Sequence, residues 1–181
     1  MNQKKVFVFP ILLSILLYIV LHEVGHCIVA ILCGAAITEF SILSAHMTYS
    51  GGRFTDLSYL WLDANGVVFP LVLSYFHIFL YKATAKNKIY HIMSFLCALM
   101  PACSLLAWVV FPIAYRNGHV LAEGEDTVKF LYIFSSSYDP LWVSAVAVIL
   151  IAISITLIVK KRIFHNFLEV RKEIRSKAEI L

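Results

Sequence analysis

His22, Glu23 and His26 stand in the order H-E-x-x-H within Leu21-His22-Glu23-Val24-Gly25-His26. Residues four apart share one face of an α-helix, so His22 and His26 can offer imidazole nitrogens to a single metal ion. Glu23, one residue on, reaches a water at that ion. Zinc suits the pair, because imidazole is a good zinc ligand and a catalytic zinc site keeps three protein ligands with a fourth position open. With seven histidines and seven glutamates in 181 residues, chance alone produces the pattern in about 1% of such chains. Its setting adds weight, since it lies inside an apolar run from Val6 to Cys33. Ionisable side chains in such a run cost roughly 2.5–3.5 kcal/mol each on insertion scales and usually serve a function. The bland alternative pairs His22 and Glu23 with each other or with a polar neighbour at the membrane boundary.

The elements that carry these residues follow from the hydropathy. The chain is 61% hydrophobic and 14% charged, with a mean hydropathy of +0.84, which excludes disorder and argues against a water-soluble enzyme. About 20 residues at 1.5 Å rise cross a hydrocarbon core roughly 30 Å thick, and four segments qualify, 6–33, 57–81, 89–115 and 140–159. The first is longer than the 7–15 residues, roughly, of a signal-peptide core and reads as a retained helix. Between spans one and two, Ala36 to Leu43 and His46 to Tyr49 alternate loosely with period two before Gly51-Gly52, predicting a short membrane-associated hairpin. The expected fold is an all-α polytopic membrane protein of about four transmembrane helices with one β-hairpin. A single integral-membrane domain covers residues 1–159, followed by a basic, amphipathic tail over 160–181.

Charge gives an orientation. The net charge of +4 is spread beside apolar runs rather than gathered in one patch, so nucleic acid is not an expected partner. Twelve of the fifteen basic residues flank the amino terminus, the second connection and the tail, which predicts that both termini are cytoplasmic. The H-E-x-x-H motif then lies near the opposite face of the bilayer. The four cysteines, Cys27, Cys33, Cys97 and Cys103, occupy apolar stretches without a C-x-x-C pair and read as buried thiols.

A third ligand has to come from the same side, where Glu39, His46, Asp56, Asp63, His119, Glu123, Glu125, Asp126 and Asp139 are available. Asp126 is preferred. It opens the short apolar helix Asp126-Thr127-Val128-Lys129-Phe130-Leu131 after a glycine-containing turn, where a carboxylate is rigidly placed and favoured by the helix dipole. Glu123 and Glu125 come next and Asp63 after them, and a simple N-cap is the competing role for Asp126. His46 and His119 face the same side and suit partners of the ligands or donors to developing charge. His77, His91 and His165 lie far from the motif and read as packing or interfacial residues.

The run His22-Glu23-x-Gly25-His26, followed by Ala30, Gly34 and a strand-like Ile37 to Leu43, resembles the site-2 protease family of intramembrane zinc metalloproteases, in particular its small bacterial members. The resemblance implies a zinc peptidase of a bacterial plasma membrane, acting on membrane-embedded or membrane-proximal protein substrates. In that family a later carboxylate at a helix start completes the zinc site, and Asp126 corresponds to it, with Thr127 in place of the usual glycine. The family's Gly-Pro followed by Asn in its second core helix is replaced here by Asp63-Ala64-Asn65-Gly66 with Pro70 displaced. Asn65 remains a candidate for binding substrate backbone, with helix packing beside Gly66 as an equal alternative. The family's site usually opens toward the cytosol, whereas the basic-residue count puts this one on the other face. The competing reading is a polytopic protein that binds metal without cutting, a scaffold or metal-handling protein. The intact Glu23 counts against it, because metal binding alone does not require that carboxylate.

Overall fold

The computed structural model describes the backbone of residues 3–179 and the side chains of residues 7–176. Lys4, Lys5 and Lys177, used in the basic-residue count, lie outside the described side chains, and Met1, Asn2, Ile180 and Leu181 lie outside the described backbone. In chain order the elements are α1 (Gln3–Leu32), β1 (Ala35–Ser41), β2 (His46–Gly51), α2 (Asp56–Leu80), α3 (Lys88–Arg116), α4 (Asp126–Phe134), α5 (Leu141–Lys160) and α6 (Ile163–Glu179). Four of the helices are long and apolar enough to cross a membrane, over Phe7–Leu32, Asp56–Leu80, Lys88–Arg116 and Leu141–Lys160. Large side chains such as Leu12, Phe76, Phe79 and Ile149 stand exposed on their outer surfaces. Helices that are apolar all round look like this where lipid is the surrounding solvent.

Local chemistry sets the boundaries. Gly34, at φ +80°, takes the left-handed conformation that closes α1 and turns the chain into β1. The Thr55 side chain accepts from the Ser58 amide while Ser58 Oγ accepts from the Thr55 amide, a reciprocal cap that starts α2. Asn87 caps α3 in a similar way through the Ile89 and Tyr90 amides. The two strands pair antiparallel from Ala35 opposite Gly51 to Ser41 opposite His46, with a register shift between Ile37 and Glu39. Ala35, Met47 and Tyr49 seat the hairpin on Ala30 of α1 and Leu62 of α2.

The core is a thin seam rather than a thick layer. Val67, Leu71, Leu105, Trp108 and Ala147 join α2, α3 and α5. Hydrogen bonds across the helices reinforce it, from Ser144 Oγ to the Val109 carbonyl at 2.8 Å and from the Tyr75 hydroxyl to the Leu150 carbonyl at 3.1 Å. Such bonds fasten helices where apolar contact alone gives little preference for one neighbour over lipid. The short α4 is anchored by the buried Val128 and Leu131 and by Phe130 set edge-on to Trp108 at 5.1 Å.

In α6, Ile163 and Val170 are buried and Phe167 stacks on Phe95 of α3 at 4.3 Å, while Phe164 is exposed. The helix therefore lays part of its apolar side on its own bundle. One expectation needs correction: the cysteines are not deeply buried. Cys27, Cys33 and Cys97 are half-buried and Cys103 is exposed, because an apolar stretch in a thin bundle turns much of its surface outward.

Candidate metal centre

The site begins with two glycines that let α1 and α2 approach. A β-carbon on Gly25 would overlap the backbone carbonyl of Asn65, and Asn65 Nδ2 donates to the Gly25 carbonyl at 2.6 Å. One residue further along α2, a β-carbon on Gly66 would collide with His26 Nε2 and stand 2.7 Å from His22 Cε1. The missing side chain is the recess that holds both imidazoles. Asn65 thus has its amide nitrogen turned to α1, a helix-packing contact.

His26 Nδ1 lies 2.7 Å from the Leu62 carbonyl. A carbonyl only accepts, so this nitrogen carries the proton, and in the neutral ring Nε2 is left as a bare lone pair. That lone pair lies 3.1 Å from His22 Nε2 and 3.1 Å from Asp126 Oδ2, and His22 Nε2 is itself 3.1 Å from the same oxygen. Two imidazole nitrogens from α1 and a carboxylate oxygen from α4 therefore form a nearly equilateral triangle. A proton, such as one carried by His22 Nε2, or a metal ion between them makes that arrangement favourable. The edges also fit a metal: ligand atoms at 2.0–2.1 Å in tetrahedral geometry are separated by about 3.3–3.4 Å. His22 Nδ1 is buried without a hydrogen-bond partner, in contrast to its counterpart on His26.

Asp126 is the first residue of α4, and Lys129, one turn on, brings its ammonium to 3.4 Å from Oδ1. Burial alone would raise the Asp126 carboxyl. With a proton rather than a metal ion on His26 Nε2, hydrogen bonding with His22 and His26, together with the positive charge of His26 and Lys129, outweighs burial and holds the group well below the usual carboxylate range. The oxygen that faces the histidines is accordingly a carboxylate, the form in which carboxyl groups bind metal ions.

The triangle opens on a cavity of about 560 Å³ walled by α1, β2, α2 and α4. Glu23, 4% exposed, lines it beside the histidines. Asp63, 7% exposed, lines it from α2. The strand on its rim is β2, through His46, Met47 and Tyr49. With only two strands in the sheet, each strand keeps one edge without a strand partner. Burial pushes the Tyr49 phenol up, and the neighbouring Tyr59 and Asp63 add to the effect.

Of the other carboxylates and histidines proposed from sequence, Glu125 reaches the rim of this cavity, while Glu39, Asp56, His119 and Glu123 are exposed and outside its lining. Asp139 pairs with Arg116 at 3.2 Å. His91 is held between the Tyr81 hydroxyl and the Ala85 carbonyl, His77 borders a separate crevice among α1, α2 and α3, and His165 is exposed on α6. Sequence reasoning missed Tyr49, Tyr59 and Lys129 as cavity residues. For Tyr49 the period-two pattern with Met47 was the available signal, and for Lys129 its spacing of three from Asp126. No protein-family model, characterised protein or solved structure matches the chain.

Proposed function

We propose that the protein is an intramembrane zinc metallopeptidase, in which His22, His26 and Asp126 hold the ion and Glu23 is the general base. The observation that carries this reading is the convergence of the His22, His26 and Asp126 donor atoms within 4.8 Å of one another, with the buried Glu23 lining the same cavity. A zinc ion bound there supplies Lewis acidity, polarising a carbonyl and making water more acidic.

The chain's own residues account for the rest. The Leu62 carbonyl fixes the tautomer of His26 and so aims Nε2 at the site. Lys129 holds Asp126 from the side away from the histidines. Glu23 takes a proton from the attacking water as the new C–O bond forms, and its carboxyl delivers that proton to the departing amide nitrogen as the C–N bond breaks. A helical substrate hides its carbonyls in i to i−4 bonds, so the peptide must be extended where it is cut. β2 borders the cavity and belongs to a two-stranded sheet, and its backbone groups suit strand addition by such a segment.

The test is Glu23→Gln in the purified, zinc-loaded protein. Hydrolysis of a membrane peptide is expected to fall by at least about 10²–10⁴-fold, while zinc content stays near that of the parent. Cleavage at the parental rate would overturn the assignment. Zinc binding by the parent with no turnover on any peptide would leave only the non-catalytic metal-binding reading.

A further inference from the structure

Asp63 is the carboxylate in the cavity that this mechanism leaves without a task. It follows Leu62, whose carbonyl holds His26, and it is more than nine-tenths buried. It accepts no hydrogen bond and makes no salt bridge with any described residue, and it stands outside the trio of converging donors. Its side chain opens on the cavity, and a carboxylate so largely withdrawn from water and without a partner is stabilised by a cation that enters beside it. No cationic side chain among the described residues pairs with it directly, and Lys129 and His26 act on it only through their fields. Lys129 is the one lysine or arginine lining the cavity among the described residues, and its ammonium is turned to Asp126. Four carboxyl groups, those of Glu23, Asp63, Glu125 and Asp126, line the cavity against that single lysine, with Glu125 on its exposed rim.

The surroundings of Asp63 narrow the kind of cation. Tyr49 and Tyr59, each packed against Phe54, line the same cavity, and aromatic rings near a carboxylate favour ammonium and guanidinium groups. Tyr49 also belongs to β2, the strand on the cavity rim. A peptide added along that strand projects alternate side chains to one face, and Asp63 lines the same cavity as that strand.

We propose that Asp63, flanked by Tyr49 and Tyr59, is a recognition subsite for a lysine or arginine side chain of an extended peptide bound beside the metal centre. This rests on reading the site as a peptidase. Its physical basis is a difference between ligands: a cationic side chain completes the buried carboxylate, whereas a neutral one of equal length leaves it desolvated and unpaired. Charge, rather than side-chain volume, then selects the substrate at that position.

The experiment uses the full-length, zinc-loaded protein in lipid nanodiscs and a fluorescein-labelled peptide series. The peptides differ only in lysine, norleucine or glutamate placed in turn at each position around the cut. Binding is measured on the Glu23→Gln background, so that it does not depend on turnover, and hydrolysis is measured separately with the parent. At one position lysine is expected to bind about tenfold or more tightly than norleucine, with glutamate weakest. Adding Asp63→Asn should bring the lysine-to-norleucine ratio to within about twofold of unity, with zinc content retained. Equal binding of lysine and norleucine at every position would overturn the subsite, as would a lysine preference that survives Asp63→Asn. Loss of zinc from Asp63→Asn would overturn it too, because the carboxylate would then serve the ion. The peptidase reading fails separately: selective binding without hydrolysis by the parent sinks that reading and leaves the subsite standing, and hydrolysis without lysine preference does the reverse.

Discussion

At the scale of single residues, the absence of a side chain at Gly66 matters as much as the presence of His22 and His26. Replacing Gly66 with alanine puts a methyl group where His26 Nε2 and His22 Cε1 now lie. Alanine is a better helix former than glycine by about 1 kcal/mol, so α2 itself should not weaken. Gly66→Ala is therefore expected to lower zinc affinity about 10–100-fold with no loss of helical circular dichroism, and metal titration would detect it. Unchanged affinity would mean that the imidazoles do not need this recess. The residue scale is also where the sequence was most legible. His22, Glu23 and His26 announce themselves because their spacing matches a helical turn, and Asp126 because it opens a helix after a glycine. The recess at Gly66, the Leu62 carbonyl that orients His26 and the inward face of Asp63 were not legible. Each depends on how far α1 is slid and rotated against α2, which hydropathy does not encode.

At the scale of elements, the decisive contact is the one between α1 and α2. A β-carbon at Gly25 meets backbone rather than a movable side chain, so the two helices would have to separate. Gly25→Ala is expected to destabilise the fold by about 1–3 kcal/mol, read as a lower thermal midpoint in a detergent-solubilised sample. A midpoint equal to that of the parent would contradict the close approach. The two glycines differ in kind, since Gly66 makes room for ligands and Gly25 makes room for a helix. Element type was readable along the whole chain because length, apolar runs and turn residues all agreed. The seating of α6 was not, since a helix with one apolar side can cover lipid or protein equally well; here Ile163 and Val170 are buried and Phe167 stacks on Phe95.

At the scale of the whole molecule, four long apolar helices and a lopsided distribution of basic residues fix a second expectation. Both ends of the chain should lie on the cytoplasmic side, with the cavity toward the other face. Epitope tags at the two termini should be digested together in inside-out vesicles and protected together in right-side-out ones. Tags reporting opposite sides would refute the four-span count, and joint exposure only in right-side-out vesicles would reverse the orientation.

The residues of the candidate metal centre are spread unevenly along the chain: His22 and His26 share one turn, but Asp126 follows His22 by 104 residues. A nascent polypeptide emerging from the ribosome therefore carries two-thirds of the trio almost from the start and must wait for α4 before the set closes. By then α1, α2 and α3 have all been synthesised, so whatever reactivity the centre possesses stays latent until the scaffold around it exists.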